Sequence, residues 1–310
     1  MPGADHSPGE FDLISQYLSD FDRGPSVALG VGDDAALLKL VTGEVLAVST
    51  DAAIEGRHFP VGAPADRIAY RSVAAAASDL AAMGARPLGF TLSLTVPEAD
   101  EAWFSTLREG LADASQSFAL PLVGGDLTRG PLALVITVFG GVIDGKALQR
   151  DGAKVDDVLY VDRTLGDAAM GLQVLTSELA LEDEAAEAAL QRFWRPMPAL
   201  VLGVSLAGVA TAAIDLSDGL LADLEHVAKA SGVAIHVHID QLPLSGVLNS
   251  AFNREEALSL ALSGGEDFAL CFTLPPQVQA PAGCIAIGDV RAGSGVHCGA
   301  QPAETGYRHF

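Results

Sequence analysis

The sequence predicts an α/β (α+β) protein built as two domains, and three observations carry that prediction. Short apolar, strand-like runs alternate with longer helical patterns along the whole chain. A polar, glycine-containing, charged stretch, DGKALQRDGAKVDD at 144–157, interrupts the alternation near mid-chain. The 310 residues are enough for two cores of ordinary size. The boundary is placed between 145 and 146, giving domains 1–145 and 146–310.

The elements follow in order. Phe11, Ile14, Leu18 and Phe21 recur at helical spacing and predict an amphipathic first helix. Strand-like runs come next at Ser26–Val31 and Val45–Thr50. Ala65–Met83 reads as a long alanine-rich helix closed by Gly84 and Pro87. A strand (Leu88–Val96), a helix (Glu101–Phe118), a short strand into Gly124-Gly125-Asp126 and an apolar strand (Leu132–Phe139) complete the first domain. Beyond the boundary come strand Val158–Val161, helices within Ala168–Leu190 and Ala199–Val209, and strand Thr211–Ile214. Helix Leu220–Lys229, strand Ala234–Ile239 and a last apolar strand Phe268–Leu274 follow, with no short-period repeat.

Composition narrows the function. The chain is 49% hydrophobic and 19% charged, with a net charge of −22, so a nucleic-acid backbone or an anionic membrane surface is a poor partner. No run approaches the roughly 18 apolar residues of a membrane span, and MPGADHSPGE lacks the basic start and apolar stretch of a signal peptide. Cys271, Cys284 and Cys298 form no C-x-x-C pair, which predicts reduced thiols and a cytoplasmic protein.

The acids are unevenly placed. Asp33 and Asp34, STD (49–51), GGD (124–126), IDLSDG (214–219) and SGGED (263–267) sit at the ends of predicted strands beside small residues. A single Asp-Gly pair is usually a turn; five clusters, mostly without a nearby basic partner, suggest a site for cations. Asp79 lies among alanines in a helix that reads as buried. Either a metal ion or a buried salt bridge with Arg71 or Arg86 would satisfy it.

Oxygen-rich clusters without Cys or His spacing favour hard cations, and Mg²⁺ takes one or two carboxylates, several waters and substrate phosphates. Several Mg²⁺ ions held by aspartates would let an acidic chain receive a polyphosphate. Gly30-Val31-Gly32-Asp33-Asp34-Ala35 matches the dinucleotide pattern G-x-G-x-x-A, but two carboxylates would repel a pyrophosphate, which removes a nicotinamide-dependent oxidoreductase. Residues 140–147 nearly match a P-loop, yet Ala147 replaces the hydroxyl residue that binds Mg²⁺. There is no G-x-S-x-G elbow and no H-E-x-x-H pair.

GEFDLI (9–14), GVGDDAA (30–36), STD (49–51), GRHF (56–59), SDLAAMGA (78–85), GGDLTRG (124–130), AIDLSDGL (213–220), SGGEDF (263–268) and GYRHF (306–310) occur in this order. Together they resemble the thiamine-monophosphate kinase family of the aminoimidazole-ribonucleotide-synthetase superfamily. The resemblance implies a two-domain PurM-like fold, with an N-terminal ATP- and metal-binding sheet domain that dimerises and a C-terminal α/β domain that closes the active site. It implies ATP-dependent phosphorylation of thiamine monophosphate to thiamine diphosphate by a homodimer using several Mg²⁺ ions, with a monovalent cation left open.

On matching positions, the resemblance makes Asp34, Ser49, Thr50, Asp51, Asp79, Asp126, Asp215 and Asp218 metal ligands. Gly125, Asp126, Arg150 and Ser217 would face ATP, and His58, Glu266 and Tyr307 the thiamine end. Asp51, Asp79, Asp126, Arg150 and Asp218 form the catalytic set. Ala52 and Ala53, VDRTLGD (161–167), Phe268 and a shortened 274–285 region depart from the family pattern without touching a proposed metal ligand. The alternatives are another ATP-using superfamily member, such as a selenophosphate synthetase or a hydrogenase-maturation protein, and a non-catalytic nucleotide or metal sensor. A selenophosphate synthetase usually has a reactive Cys or selenocysteine near its N-terminus, whereas the first Cys here is Cys271.

Overall fold

The computed structural model describes residues 9–19, 21 and 24–299. It is a mixed α/β chain that divides into two compact units. One comprises the chain to Ala77 with Pro87–Gly141, the other Ser78–Arg86 with the chain from Val142 onward. None of the described helices is long and apolar enough to cross a membrane.

The first unit is built on a four-stranded sheet. Its elements are α1 (Glu10–Leu13), β1 (Val27–Leu29), β2 (Leu37–Leu38), β3 (Glu44–Ile54), most of α2 (Ala65–Ala82), β4 (Arg86–Val96), α3 (Glu101–Phe118), β5 (Leu122–Arg129) and β6 (Ala133–Ile143). The order across the sheet is β3-β6-β4-β5, and β1 and β2 form a separate antiparallel pair. β4 and β5 run parallel, so the chain must cross back between them, and α3 is that crossover. Asp100 starts α3 by accepting hydrogen bonds from the N–H groups of Ala102 (2.9 Å) and Trp103 (3.3 Å). Phe104, Leu107, Leu111, Ala114 and Phe118 recur at helical spacing and are all buried. α2 is buried on most of its circumference from Ile68 to Ala81, which its alanines permit because small side chains let neighbours approach from every side.

The second unit holds a six-stranded sheet of β7 (Val158–Val161), β8 (Ala212–Leu216), β9 (Ala234–Val237), β10 (Ala269–Leu274), β11 (Ile285–Arg291) and β12 (Gly295–Cys298). The order is β12-β9-β11-β7-β10-β8, antiparallel throughout except for the parallel β12–β9 pair. Helices α4 (Asp167–Leu175), α5 (Asp183–Trp194), α6 (Leu200–Leu206), α7 (Leu220–Ser231), α8 (Gly246–Ala251) and α9 (Arg254–Ser263) complete it. Leu159, Val161, Ile214, Leu216, Leu224 and Ile235 meet in its main core. The end of α2 belongs here: a Cβ on Gly203 of α6 would stand 2.2 Å from the Ala81 carbonyl oxygen, so the two helices meet backbone to backbone.

Several sequence expectations change. β3 and β5 outrun the predicted strands, so Ser49-Thr50-Asp51 and Gly125-Asp126 lie inside strands rather than at their ends; pairing in the sheet extends a strand beyond its apolar run. Asp215 likewise sits within β8. The first helix turns π-helical over Ile14–Leu18 and stops before Phe21, with the Ser19 hydroxyl bonded back to the Ser15 carbonyl (2.6 Å). β10 is not the last strand. β11 escaped notice because a register shift between Ala286 and Gly288 breaks its alternation.

Where α3 crosses α2, a Cβ on Gly110 would lie 2.1 Å from the Asp66 carbonyl oxygen. Gly110→Ala must push two buried helices apart, and we expect a loss of roughly 3 kcal/mol in denaturant unfolding. Wild-type stability in that variant would show that the helices do not meet there.

Candidate active site

In the first unit, the predicted ligands lie on the β1–β2 turn and on strands β3 and β5. Asp33 turns its own carboxylate back to the Asp34 N–H (2.8 Å), and the Asp34 residue is exposed. On β3, period-two alternation places Ser49 and Asp51 on one face and Thr50 on the other. Ser49 and Asp51 are half-buried, while the exposed Thr50 shares a hydrogen bond (2.9 Å) with the Thr137 hydroxyl of β6. His58 closes the turn after β3. Its Nδ1 accepts the Ile54 N–H (3.1 Å), which leaves the proton of the neutral ring on Nε2 and makes that atom a donor.

Gly125 and Asp126 stand on β5 opposite Leu92 and Ser93 of β4. A Cβ on Gly125 would be 1.9 Å from the Leu92 carbonyl oxygen, so only glycine permits this approach. Bare backbone at Gly124-Gly125 and the exposed Asp126 carboxylate line a pocket whose other walls are apolar, including Ile14, Leu18, Val31 and Leu92.

In the second unit, Asp79 is half-buried in the last turn of α2, and the neighbouring Ser78 hydroxyl is buried without a hydrogen-bond partner among the described residues. Arg150 is exposed in the loop before β7. Asp215 is buried on β8, and Ser217 and Asp218 follow in the turn into α7. The SGGED segment lies against this turn. Glu266 N–H donates to the Ser217 carbonyl (2.8 Å) and Phe268 N–H to the Leu216 carbonyl (2.8 Å). The structure therefore brings Ser217, Asp218 and Glu266 together on two cross-bonded loops. Glu266 and Phe268 both take left-handed backbone conformations (φ 64° and 45°), uncommon for non-glycine residues. Tyr307 lies outside the described residues.

Two acids to which the sequence reading assigns no role organise these loops. Asp267 accepts the N–H groups of Gly166 (2.7 Å) and Ala168 (3.2 Å) at the start of α4. Burial pushes its carboxyl up to about 7; Asp167 adds to the rise, while the two N–H bonds and Arg163 oppose it. Asp223 sits in the first turn of α7, and burial, reinforced by Asp215 and Asp218, raises its carboxyl to about 7. A signal was available for the second: an acid a few positions past the helix-starting Gly219 suits a capping role. Burial also pushes the Cys271 thiol up, as befits an inert core residue.

Among the described residues, no three His, Cys, Asp or Glu side chains converge as a ready-made cation site. The candidate donors are nonetheless all oxygens of carboxylates, hydroxyls or backbone carbonyls. That donor set fits Mg²⁺, which keeps waters and accepts phosphate oxygens to fill its shell.

The chain is 46% identical over 273 residues to the thiamine-monophosphate kinase of Salmonella typhimurium, covering 86% of this chain and 83% of that one. The chain belongs to the thiamine-monophosphate kinase family. A family model for the AIR synthase related protein, N-terminal domain, matches residues 32–142. The fold agrees: the crystal structure of thiamine-monophosphate kinase from Stenotrophomonas maltophilia K279a superposes with a TM-score of 0.84 at 41% identity, over 90% of this chain and 93% of that one. AaThiL complexed with AMPPCP and TMP superposes with a TM-score of 0.80 at 30% identity, over 87% and 89%. The α/β class and the PurM-like fold implied by the family motifs are thus borne out, and the chain is an enzyme of the kinase class.

Asp267 yields a pH test. Its folded value near 7 lies above the ordinary carboxylate range, so the folded chain binds this proton more tightly than the unfolded one. The stability it contributes is complete near pH 4 and is lost as pH rises through 7. Between pH 5 and pH 8, wild type should lose on the order of 2 kcal/mol more than Asp267→Asn in denaturant unfolding, since the amide keeps an acceptor but does not titrate. Parallel pH profiles would refute the raised value.

Proposed function

We propose that this chain transfers the γ-phosphoryl group of ATP to thiamine monophosphate, giving thiamine diphosphate and ADP by direct in-line displacement. The reading is carried by one observation: a protein of the same fold and 30% identity binds an ATP analogue together with TMP. Every acid of the motif set is present in this chain, which supports it further.

The chemistry suits these residues. The nucleophile is an oxygen of a phosphate monoester whose second pKa is about 6, so it is already largely anionic at neutral pH and needs no strong base. It forms a bond to the γ-phosphorus as the bond to the β–γ bridging oxygen breaks, and ADP leaves with that electron pair. The difficulty is aligning two polyanions, which calls for positioning and charge neutralisation. Bound Mg²⁺ supplies positive charge to the phosphates. Asp34, Ser49, Asp51, Asp79, Asp126, Asp215 and Asp218 would hold it through side-chain oxygens. Thr50, whose hydroxyl is engaged with Thr137 on the other face of β3, would serve through its carbonyl.

Gly125 offers bare backbone to ATP, Ser217 a hydroxyl, and Arg150 a guanidinium for a phosphate. At the thiamine end, His58 presents its Nε2–H as a donor, Glu266 matches the cationic ring in charge, and Tyr307 offers a stacking face. Residues 1–145 would form the ATP- and metal-binding domain and residues 146–310 the second, α/β domain.

The homodimer belongs to the same reading. β3 is an edge strand of eleven residues that exposes Val45, Leu46, Val48 and Ile54. A long apolar edge invites pairing unless it is covered, and a second copy of the chain is the proposed cover. Light scattering should give twice the chain mass, and Val48→Lys should shift the protein toward monomer; a wild-type monomer with full activity would defeat a required dimer.

The activity has a direct test. ADP release in a coupled assay should require both thiamine monophosphate and Mg²⁺ and should vanish in excess EDTA. Release independent of thiamine monophosphate would overturn the substrate, and substantial release in EDTA would overturn the role of the metal.

A further inference from the structure

The geometry points to Asp223 as a positioning residue for the reaction, the side chain that fixes the Ser217–Gly219 turn for ATP and Mg²⁺. The inference rests on the function proposed above. Asp223 is 3% exposed, yet its Oδ2 accepts two backbone hydrogen bonds, from the Asp218 N–H and the Gly219 N–H, each 3.1 Å. Both donors belong to the turn that carries Ser217 and Asp218. A carboxylate out of water is costly unless it has donors, and here the donors are the turn itself.

The acceptor is rigidly mounted. Leu220, Leu221, Leu224 and Val227 surround Asp223 in sequence on α7 and are buried, so the helix has little freedom to shift. The other side of the turn is held by its carbonyls, with Leu216 and Ser217 bonded to Phe268 and Glu266. Amides to Asp223 and carbonyls to the SGGED loop thus pin the turn from two directions. Only the amide side depends on a single side chain. Removing Asp223 strands the Asp218 and Gly219 N–H groups and frees the Asp218 backbone to rotate, which carries its carboxylate off target.

A helix cap with no further role would lower stability and leave substrate parameters alone, so the test reads both. Asp223→Ala, checked as folded by circular dichroism, should need a higher Mg²⁺ concentration for half-maximal rate. Its kcat/KM for ATP should fall on the order of 100-fold, as expected when a reacting group is misplaced by about an ångström. KM for thiamine monophosphate should change far less. Asp223→Asn, whose amide oxygen can accept both N–H groups, should recover most of the loss. A folded Asp223→Ala with wild-type Mg²⁺ dependence and KM for ATP would overturn the assignment, as would an Asp223→Asn no better than Asp223→Ala. Amide hydrogen exchange on the wild type tests the geometry without any variant: the Asp218 and Gly219 amides should exchange slowly, and free-loop rates would overturn the assignment even if Asp223→Ala does not fold. A wild type without thiamine-monophosphate-dependent ADP release would defeat the proposed function instead, and the exchange result would still decide the role of Asp223 in the turn.

Discussion

Tight turns held out of water must satisfy their backbone N–H groups, and in the second unit two acids do so, one buried and one half-buried. Asp267 takes the first donors of α4, and Asp223 takes those of the turn into α7. The loops they serve are joined by the Glu266–Ser217 and Phe268–Leu216 hydrogen bonds. Left-handed backbone at Glu266 and Phe268 costs on the order of 1–3 kcal/mol each and persists only where surroundings over-determine it. The cross-bonds and the Asp267 cap provide that over-determination.

The same principle takes a different form in the first unit, where glycine rather than acid does the work. A backbone carbonyl of β4 occupies the space a side chain at Gly125 would need. The parallel β4–β5 register then carries Asp126 outward beside bare peptide groups. Exposure keeps that carboxylate solvated and available, whereas a buried one would have to be neutralised or paired. Asp126 is thus left accessible, whereas Asp223, which accepts backbone donors, is sunk into the core.

Much of this was legible in the sequence. Helical spacing located α2 and α3, apolar runs located most strands of the first sheet, and the ordered acidic motifs picked out the turns that matter. What escaped followed from tertiary pairing. β3 and β5 extend because neighbouring strands hold polar residues in register, and the bulge in β11 erases its alternation. Asp223 and Asp267 escaped for another reason. Asp267 is read from sequence as one more acid of SGGED and Asp223 as one more polar residue of a helix, and only the backbone donors their oxygens accept reveal their roles.

That distinction bears on how an acidic motif should be interpreted. In Ser49-Thr50-Asp51, strand geometry alone divides three consecutive side chains between two faces, and the Thr50 hydroxyl is hydrogen-bonded to Thr137. In IDLSDGLLAD, Asp215 and Asp218 flank a turn whose shape Asp223 sets from a helix beyond it. Spacing therefore identifies the motif but does not assign the roles within it. A carboxylate on a strand face or turn that keeps its oxygens unspent is a candidate ligand, whereas one already accepting two backbone donors has its geometry committed. In IDLSDGLLAD the Asp223 carboxylate is committed in this way to the turn, so acids that share one stretch of sequence need not share one role.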